Sequence, residues 1–296
     1  MKIAITGANS SVGKNLLTQI TKDPSLEAIA GVRSESAFAS LPESDRIQPR
    51  TINYEDVPDL STAFQDCDVV VHLAGILIET KHSKYESANV DATAAVVKAA
   101  QQAGAKHLIF VSVVGADNNS KNRYFKTKGD AEQLIANSGI SATILRTPLL
   151  LGPGTAGADS VKWAASKPKA KLLGGGNYTM HPLDVNDLSA AILNCSRNQV
   201  DEVRTLELVG PEGILYRDLI SKLAELKGND ITIASVPIWT AKLGAAIGSR
   251  LKGGGITPAV IDVITIDETV AHKGADELGV NLTPLQQTLT NILEQS

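Results

Sequence analysis

Short β-rich apolar runs alternate with longer helical patterns through the first half of the chain, and this alternation constrains the fold more than any other feature. Candidate strands run Lys2–Thr6, Ala28–Val32, Val69–Leu73, His107–Ser112 and Ala142–Arg146, with a less apolar one at Ile47–Asn53. Helical patterns lie between them at Ser11–Lys22, Pro58–Gln65, Lys84–Gly104 and Phe125–Asn137. In the third of these, Ala92, Val96, Ala99 and Ala103 recur at helical spacing and Gly104 is a stop signal. Strands joined through helices of this length need right-handed crossovers, which give a parallel sheet covered on both faces. After Arg146 the texture changes. Thr147–Gly154 is turn-rich and Gly174–Asn177 is a second loop. A helix at Val185–Cys195 and a strand at Thr205–Val209 are expected to return to the sheet. The remainder, including Leu215–Lys227 and the tail from Pro258, reads as a smaller, mainly helical lobe.

Composition narrows the function classes. The 296 residues allow one large domain or two smaller ones, and 43% hydrophobic with 20% charged residues excludes a disordered chain. A net charge of −4 and 4% aromatics remove the electrostatic drive and the stacking platforms of a nucleic-acid binder, so no nucleic-acid partner is expected. Cys67 and Cys195 are too few for a disulfide framework or a cysteine-rich zinc site, and the five histidines (72, 82, 107, 181 and 272) show no zinc-site spacing. No metal is expected. The most apolar region, Ile231–Leu251, is interrupted by Pro237, Lys242 and Arg250, so no integral membrane segment is expected. The N-terminal apolar run is too short for a secretory signal, which makes the cytoplasm the expected compartment.

Gly7-Ala8-Asn9-Ser10-Ser11-Val12-Gly13 follows the first strand and opens the first helix. A tight strand-to-helix turn needs one residue without a side chain and close helix–strand packing needs another; Gly7 and Gly13 suit those roles. The amides between them and the helix N-terminus then face outward, ready for a pyrophosphate. Lys14 gives the loop a passing likeness to the phosphate loop of ATPases. Five residues separate the glycines where that loop has four, however, and Asn15 stands where it needs Ser or Thr. The loop reads as a dinucleotide turn, with a plain structural turn as the alternative. The expected fold class is therefore α/β: a Rossmann-type doubly wound parallel sheet with a smaller, mainly helical C-terminal substrate lobe. Residues 1–150 are expected to form the dinucleotide-binding domain and 151–296 the smaller lobe, with return elements near 184–210 rejoining the sheet. At the end of the second strand, where an NAD site places an acid against the ribose 2′-OH, the run is Ala30-Gly31-Val32-Arg33-Ser34. The Arg33 guanidinium suits a 2′-phosphate, so NADP (NADPH) is the expected cofactor. NAD is the alternative, and a plain surface arginine is the simplest competing account of Arg33.

These landmarks together resemble the short-chain dehydrogenase/reductase superfamily in its extended or atypical branch, along nearly the whole chain. Thr6-Gly7-Ala8 through Gly13 is similar to the cofactor loop, and His72-Leu73-Ala74-Gly75 to the fourth-strand motif under the adenosine and ribose. Asn89-Val90-Asp91 resembles the helix segment behind the cofactor, and Tyr124-Phe125-Lys126-Thr127-Lys128 has the Tyr-x-x-x-Lys spacing. Leu145-Arg146-Thr147-Pro148 resembles the sixth-strand exit, and His181–Asp187 the segment before the return helix. Leu208–Glu212 and the Tyr216–Lys227 helix are similar to NmrA-like proteins and to the nucleotide-binding accessory subunit of respiratory complex I. The resemblance implies cofactor contacts from Gly7, Ala8, Asn9, Ser10, Ser11, Val12, Gly13, Leu73, Ala74, Gly75, Asn89, Lys128 and Pro148, to which Arg33 is added. It implies catalysis by Tyr124 and Lys128, with Ser112 as the candidate hydroxyl.

Tyr-x-x-x-Lys has its own physical logic. Residues four apart on a helix share a face, so both heads reach one carbonyl, and a nearby ammonium favours the phenolate over a phenol of pKa about 10. Two departures bear on activity. Ser10 stands where the family has its middle glycine, and Val113 stands where the fifth strand carries the substrate-orienting hydroxyl, leaving Ser112 one residue away and on the other face of a strand. His72 reads as a packed histidine and His181 as a turn residue. Trp163 and Trp239 read as packing residues of the lobe, with a ring that roofs the nicotinamide as the alternative, and Lys167, Lys169 and Lys171 as solvated surface. The expected function is an NADP(H)-dependent oxidoreductase acting on a small carbonyl, alcohol or activated double bond. The alternatives are a non-catalytic NADP(H)-binding redox sensor or assembly scaffold, which implies a protein partner, and a nucleotide-sugar epimerase or dehydratase.

Overall fold

The computed structural model describes residues 1–270 and 274–294, so His272 lies outside the described residues. In chain order the elements are β1 (Lys2–Thr6), α1 (Ser11–Thr21), β2 (Glu27–Val32), β3 (Ile47–Thr51), α2 (Val57–Phe64), β4 (Val69–His72), α3 (Ala92–Ala103), β5 (His107–Val113), α4 (Arg123–Ala136), β6 (Ala142–Thr147) and β7 (Leu150–Leu151). There follow α5 (Ala156–Ala165), β8 (Lys169–Leu173), β9 (Thr179–Met180), β10 (Leu183–Asp184), α6 (Val185–Arg197), β11 (Val203–Glu207), β12 (Ile214–Leu215), α7 (Tyr216–Leu226), β13 (Thr232–Val236), α8 (Ile238–Lys252), α9 (Pro258–Ile264) and α10 (Leu285–Glu294).

Seven strands form one sheet in the order β11-β6-β5-β4-β1-β2-β3, every pair parallel. The register sets Ile5 beside Ala30 on one side and beside Val71 on the other. Side chains alternate across the sheet as strand geometry requires. Ile3 and Ile5 pack with Leu16, Leu17 and Ile20 of α1 and Leu188 and Ile192 of α6, while Ala4 faces Leu60 and Phe64 of α2, Val96 of α3 and Ile135 of α4. The doubly wound fold is as the sequence pattern predicts. The chain turns back at β1: β2 and β3 extend one way, β4 to β6 the other, and the crevice of such sheets opens above that switch, at the carboxyl ends of β1 and β4. Pro49 sits in β3 because β3 is an edge strand, where a missing N–H leaves no gap in the ladder.

Two features differ from the sequence pattern. The Lys84–Gly104 helix is interrupted by a π-helical turn at Glu86–Asp91 before α3 begins. The lobe also holds a parallel ladder, β8 with β13, beside the short pairs β7–β10 and β9–β12. Lys169-Ala170-Lys171-Leu172 is a period-two strand whose lysines face out while Ala170 and Leu172 enter a core formed by α5, α7 and α10.

Candidate functional site

The loop after β1 is held by two backbone constraints. Gly7 lies at φ 72°, a conformation that strains any residue with a Cβ, and a Cβ there would stand 3.1 Å from the Ala74 nitrogen. At Gly13 a Cβ would stand 2.5 Å from the Ala8 carbonyl oxygen. The loop therefore lies tight against the exit of β4 and the start of α1, and three of its amides are used within the protein, with the Ser10 N–H donating to the Gly7 carbonyl at 3.0 Å. Ser10 is the N-cap of α1: its Oγ accepts the Gly13 N–H at 3.0 Å. It takes up one amide that a phosphate would otherwise bind, and its own hydroxyl proton remains a donor. The Ala8 N–H donates to the Gly31 carbonyl at 3.1 Å, which sets the loop across the end of β2. Arg33, just past that end, is exposed and has no ion-pair partner among the described residues.

At the end of β4, His72 is buried between Thr6, 2.7 Å from Nδ1, and Thr93, 3.1 Å from Nε2. The Thr93 hydroxyl donates to the Asn89 carbonyl at 2.6 Å, so it accepts from the ring, which assigns the proton to Nε2. Burial, with the Lys128 ammonium nearby, holds the His72 pKa down to about 3. It is a neutral cross-link between β1, β4 and α3. Asn89, in the π-helical turn, accepts from the Ile76 N–H at 2.9 Å and donates to the Ile76 carbonyl and to Thr127 Oγ1 at 3.3 Å. Its amide is spent on fixing the Gly75–Ile76 loop.

Tyr124 and Lys128 share one face of α4. Asn122 caps that helix, accepting from the Tyr124 N–H at 3.0 Å and donating to the Ala259 carbonyl of α9 at 2.9 Å. The Lys128 ammonium donates to the Val111 carbonyl at 3.0 Å and lies 4.1 Å over the Phe110 ring. Burial pushes its pKa down to about 8, with Glu132 opposing. The Tyr124 ring meets Tyr85 at 5.8 Å, and burial together with Tyr85 pushes its phenol above the ordinary range. The direction is opposite to the phenolate-favouring shift expected from the Tyr–Lys spacing. Ser112, expected as the substrate-orienting hydroxyl, donates its one proton to Glu132 at 2.5 Å, and Glu132 is itself bound by Arg146 at 2.6 Å. That partner lies twenty residues away on α4, and no local spacing in the sequence signals it.

These elements enclose a cavity of about 640 Å³. Ser11, Leu73, Ala74, Gly75, Ser112, Tyr124, Lys128 and Pro148 all line it, so the sequence-derived candidates from five separate segments converge. Gly7 adjoins it through Ala74; Ala8, Asn9, Ser10, Val12 and Gly13 frame the loop beside it. Arg33 and Asn89 are not among its lining residues. The outer wall comes from the lobe: Leu149, Leu172, Leu173, Met180, Ile264 and Ile266, with Trp163 at the edge. Lys171, read from sequence as solvated surface, is exposed and also lines the cavity. Glu268, which the sequence did not mark, lines it too. Burial pushes its pKa up to about 7 even though it accepts the His181 N–H at 2.6 Å. Among the described residues no group of His, Cys, Asp or Glu is placed to hold a metal, and no helix is long and apolar enough to cross a membrane.

Comparison with known proteins places this geometry. The model of a family described as NAD(P)H-binding matches residues 7–194. The chain is 26% identical over 252 residues to NADH dehydrogenase [ubiquinone] 1 alpha subcomplex subunit 9, mitochondrial, of Arabidopsis thaliana, covering 82% of this chain and 62% of that one. It is 26% identical over 245 residues to a ceramide reductase of Caulobacter vibrioides, covering 79% of this chain and 73% of the relative. In fold it is similar to the solved structure of MoeE5 in complex with UDP-glucuronic acid and NAD, with a TM-score of 0.77, 18% identity, and coverage of 100% of this chain and 98% of that one.

Proposed function

Because the chain belongs to the NAD(P)H-binding family, we propose that it is an NADPH-dependent reductase of an apolar carbonyl compound, with Tyr124 as the proton donor. The observation that carries this reading is the cavity itself. The Leu73–Gly75 edge, Tyr124 and Lys128 form its inner end, and leucine, isoleucine and methionine side chains form its outer wall. The dinucleotide fits the cradle: the Asn9, Ser11 and Val12 amides take the pyrophosphate, Arg33 takes the 2′-phosphate, and Lys128 takes the nicotinamide ribose. Bound there, the nicotinamide supplies a hydride. Tyr124, held neutral by burial, supplies the proton to the carbonyl oxygen, and the Lys128 ammonium stabilises the phenolate left behind. Ser112, committed to Glu132, acts by holding the end of β5 in place. The ceramide reductase relative supports a long apolar substrate.

A nucleotide-sugar substrate fits less well. Its diphosphate needs several donors, and beyond Lys128 the only cation among the described lining residues is Lys171, while Glu268 also lines the cavity. A non-catalytic sensor or scaffold is the second reading, favoured by the capture of Ser112 and by likeness to a respiratory-complex subunit of which this chain spans 62%.

The test is NADPH oxidation over straight-chain aldehydes and ketones, run beside Tyr124→Phe and calorimetry with both cofactors. Each added methylene that enters the cavity raises kcat/KM by about fourfold until the cavity is full. Tyr124→Phe lowers turnover by about 10²-fold or more. Arg33→Ala weakens NADPH by about ten- to a hundredfold and NADH little. Tight NADPH binding with no Tyr124-dependent oxidation moves the assignment to the sensor or scaffold, and tighter NADH than NADPH removes Arg33 from the site.

A further inference from the structure

Helix α8 is apolar in sequence and unburied in the fold. None of its residues with a described side chain is buried. Trp239, Leu243, Ile247 and Leu251 recur every four residues and are 70%, 57%, 57% and 83% exposed. Four residues turn a helix through about 400°, so these side chains form one stripe about 120° wide. The helix is braced rather than loose. Ile238 at its start packs on Gly174, the helix lies against α9, and Gly254 beyond its end sits so close to the Glu79–Thr80 backbone that a Cβ would stand 2.5 Å from the Glu79 carbonyl.

Charge and position say what covers this stripe. The sequence of α8 holds Lys242, Arg250 and Lys252 and no acidic residue. Lys84 donates to the Gly253 carbonyl at the helix end at 3.5 Å, and Lys81 packs against Gly253. Asp262 pairs with Lys242 and Glu79 with Arg123 at 3.4 Å, so these charges offset one another and Arg250, Lys81 and Lys84 are the exposed cations here with no ion pair among the described residues. Across a two-fold contact with a second copy, this cationic helix would meet its own like charges, which opposes self-association. Helix α9, against which α8 packs, leads to the cavity. Ile264 at the end of α9 and Ile266 just after it are 41% and 40% exposed and line the cavity, as does Trp163, 67% exposed with Lys167 4.9 Å over its ring.

We propose that α8 docks on a bilayer surface containing anionic lipid, its Trp239–Leu251 stripe lying among the acyl chains and Arg250, Lys81 and Lys84, all exposed, reaching the headgroup phosphates. An apolar face with tryptophan beside exposed cations at one end is a pattern of interfacial helices, the long Arg250 side chain within the stripe reaching back to the headgroups. Docking in this way sets the apolar mouth of the cavity beside the lipid, from which an apolar ligand enters without crossing water.

The experiment is flotation of the full chain with phosphatidylcholine vesicles, with and without phosphatidylglycerol, at low and high salt. Binding is expected with phosphatidylglycerol, about tenfold or more weaker without it, and weakened by salt. Trp163→Phe leaves Trp239 as the remaining tryptophan, and its emission shifts to the blue on vesicle addition. Leu243→Glu with Ile247→Glu abolishes flotation while NADPH binding, the check on folding, is retained. No binding to anionic vesicles, flotation unchanged in the double variant, or a dimer in light scattering that the double variant splits each overturns the proposal; the last assigns the stripe to a second copy. Vesicle binding needs no turnover, so its failure and the failure of the reductase reading are separate results.

Discussion

Ser10 shows how one atom reports on a site. Its Oγ caps α1 through the Gly13 amide, and it stands where a bare backbone would let a phosphate come closest. Ser10→Ala removes the cap and is predicted to cost about 1 kcal/mol, seen as a lowered Tm. Ser10→Gly loses only a few tenths of a kcal/mol and is predicted to bind NADPH at least as tightly as the parent, measured by calorimetry. If glycine instead weakens binding as much as alanine does, the serine hydroxyl is itself a phosphate ligand. Much at this scale was legible in sequence: Gly7, Gly13, Tyr124 and Lys128 announce themselves through local spacing, because the chemistry that needs them is local. The Ser112–Glu132–Arg146 chain was not legible, since its members come from β5, α4 and β6 and meet only when α4 packs on the sheet.

At the scale of elements, the strand ends carry groups whose protonation is tied to folding. His72 at the end of β4 and His107 at the start of β5 are buried, and burial holds their pKa values near 3 and 4. Both lie below the unfolded value of about 6.5, so the stability they contribute is present above pH 6.5 and is lost as pH falls, by about 2 kcal/mol each at pH 5. Glu268 works the other way. Its folded pKa near 7 lies above its unfolded value, so the folded state gains stability as pH falls from 7 toward 4.5. Glu268→Gln removes that gain, and the variant is predicted to lose about 2 kcal/mol more than the parent between pH 7 and pH 5 in urea unfolding. Equal losses in the two proteins would mean that Glu268 is ionised throughout. The elements bearing these groups were visible in the sequence wherever an apolar run was continuous, as in Val69–His72. The β8–β13 ladder was not. Lys169 and Lys171 look like surface charge until Ala170 and Leu172 are seen to alternate with them, and the partner strand lies some sixty residues on.

At the scale of the whole molecule, the chain from Gly274 onward ties the sheet to the lobe. The Gly274 N–H donates to the Glu207 carbonyl of β11 at 2.7 Å, and Ala275, Leu278 and Val280 enter the core shared by α1, α6 and the sheet. Thr283 then donates to Asp187 at 2.8 Å and Thr288 to Asp184 at 2.8 Å, which directs α10 into a different core, where Leu285, Leu289 and Ile292 meet α5 and α7. The same two bodies form the inner and outer walls of the cavity, so α10 supports the substrate end without touching the cofactor loop. Leu289→Ala, at a fully buried position, is predicted to cost about 2–5 kcal/mol. The loss should fall unevenly. Hydrogen exchange is expected to speed up in α5, α7 and β8, while β1, β2 and α1 keep their protection because their core does not contain Leu289. NADPH affinity then stays near the parent value while KM for an apolar carbonyl rises. Uniform loss of protection across β1 and α5 would show that sheet and lobe unfold as one cooperative unit, with α10 acting on the cofactor loop as strongly as on the cavity's outer wall.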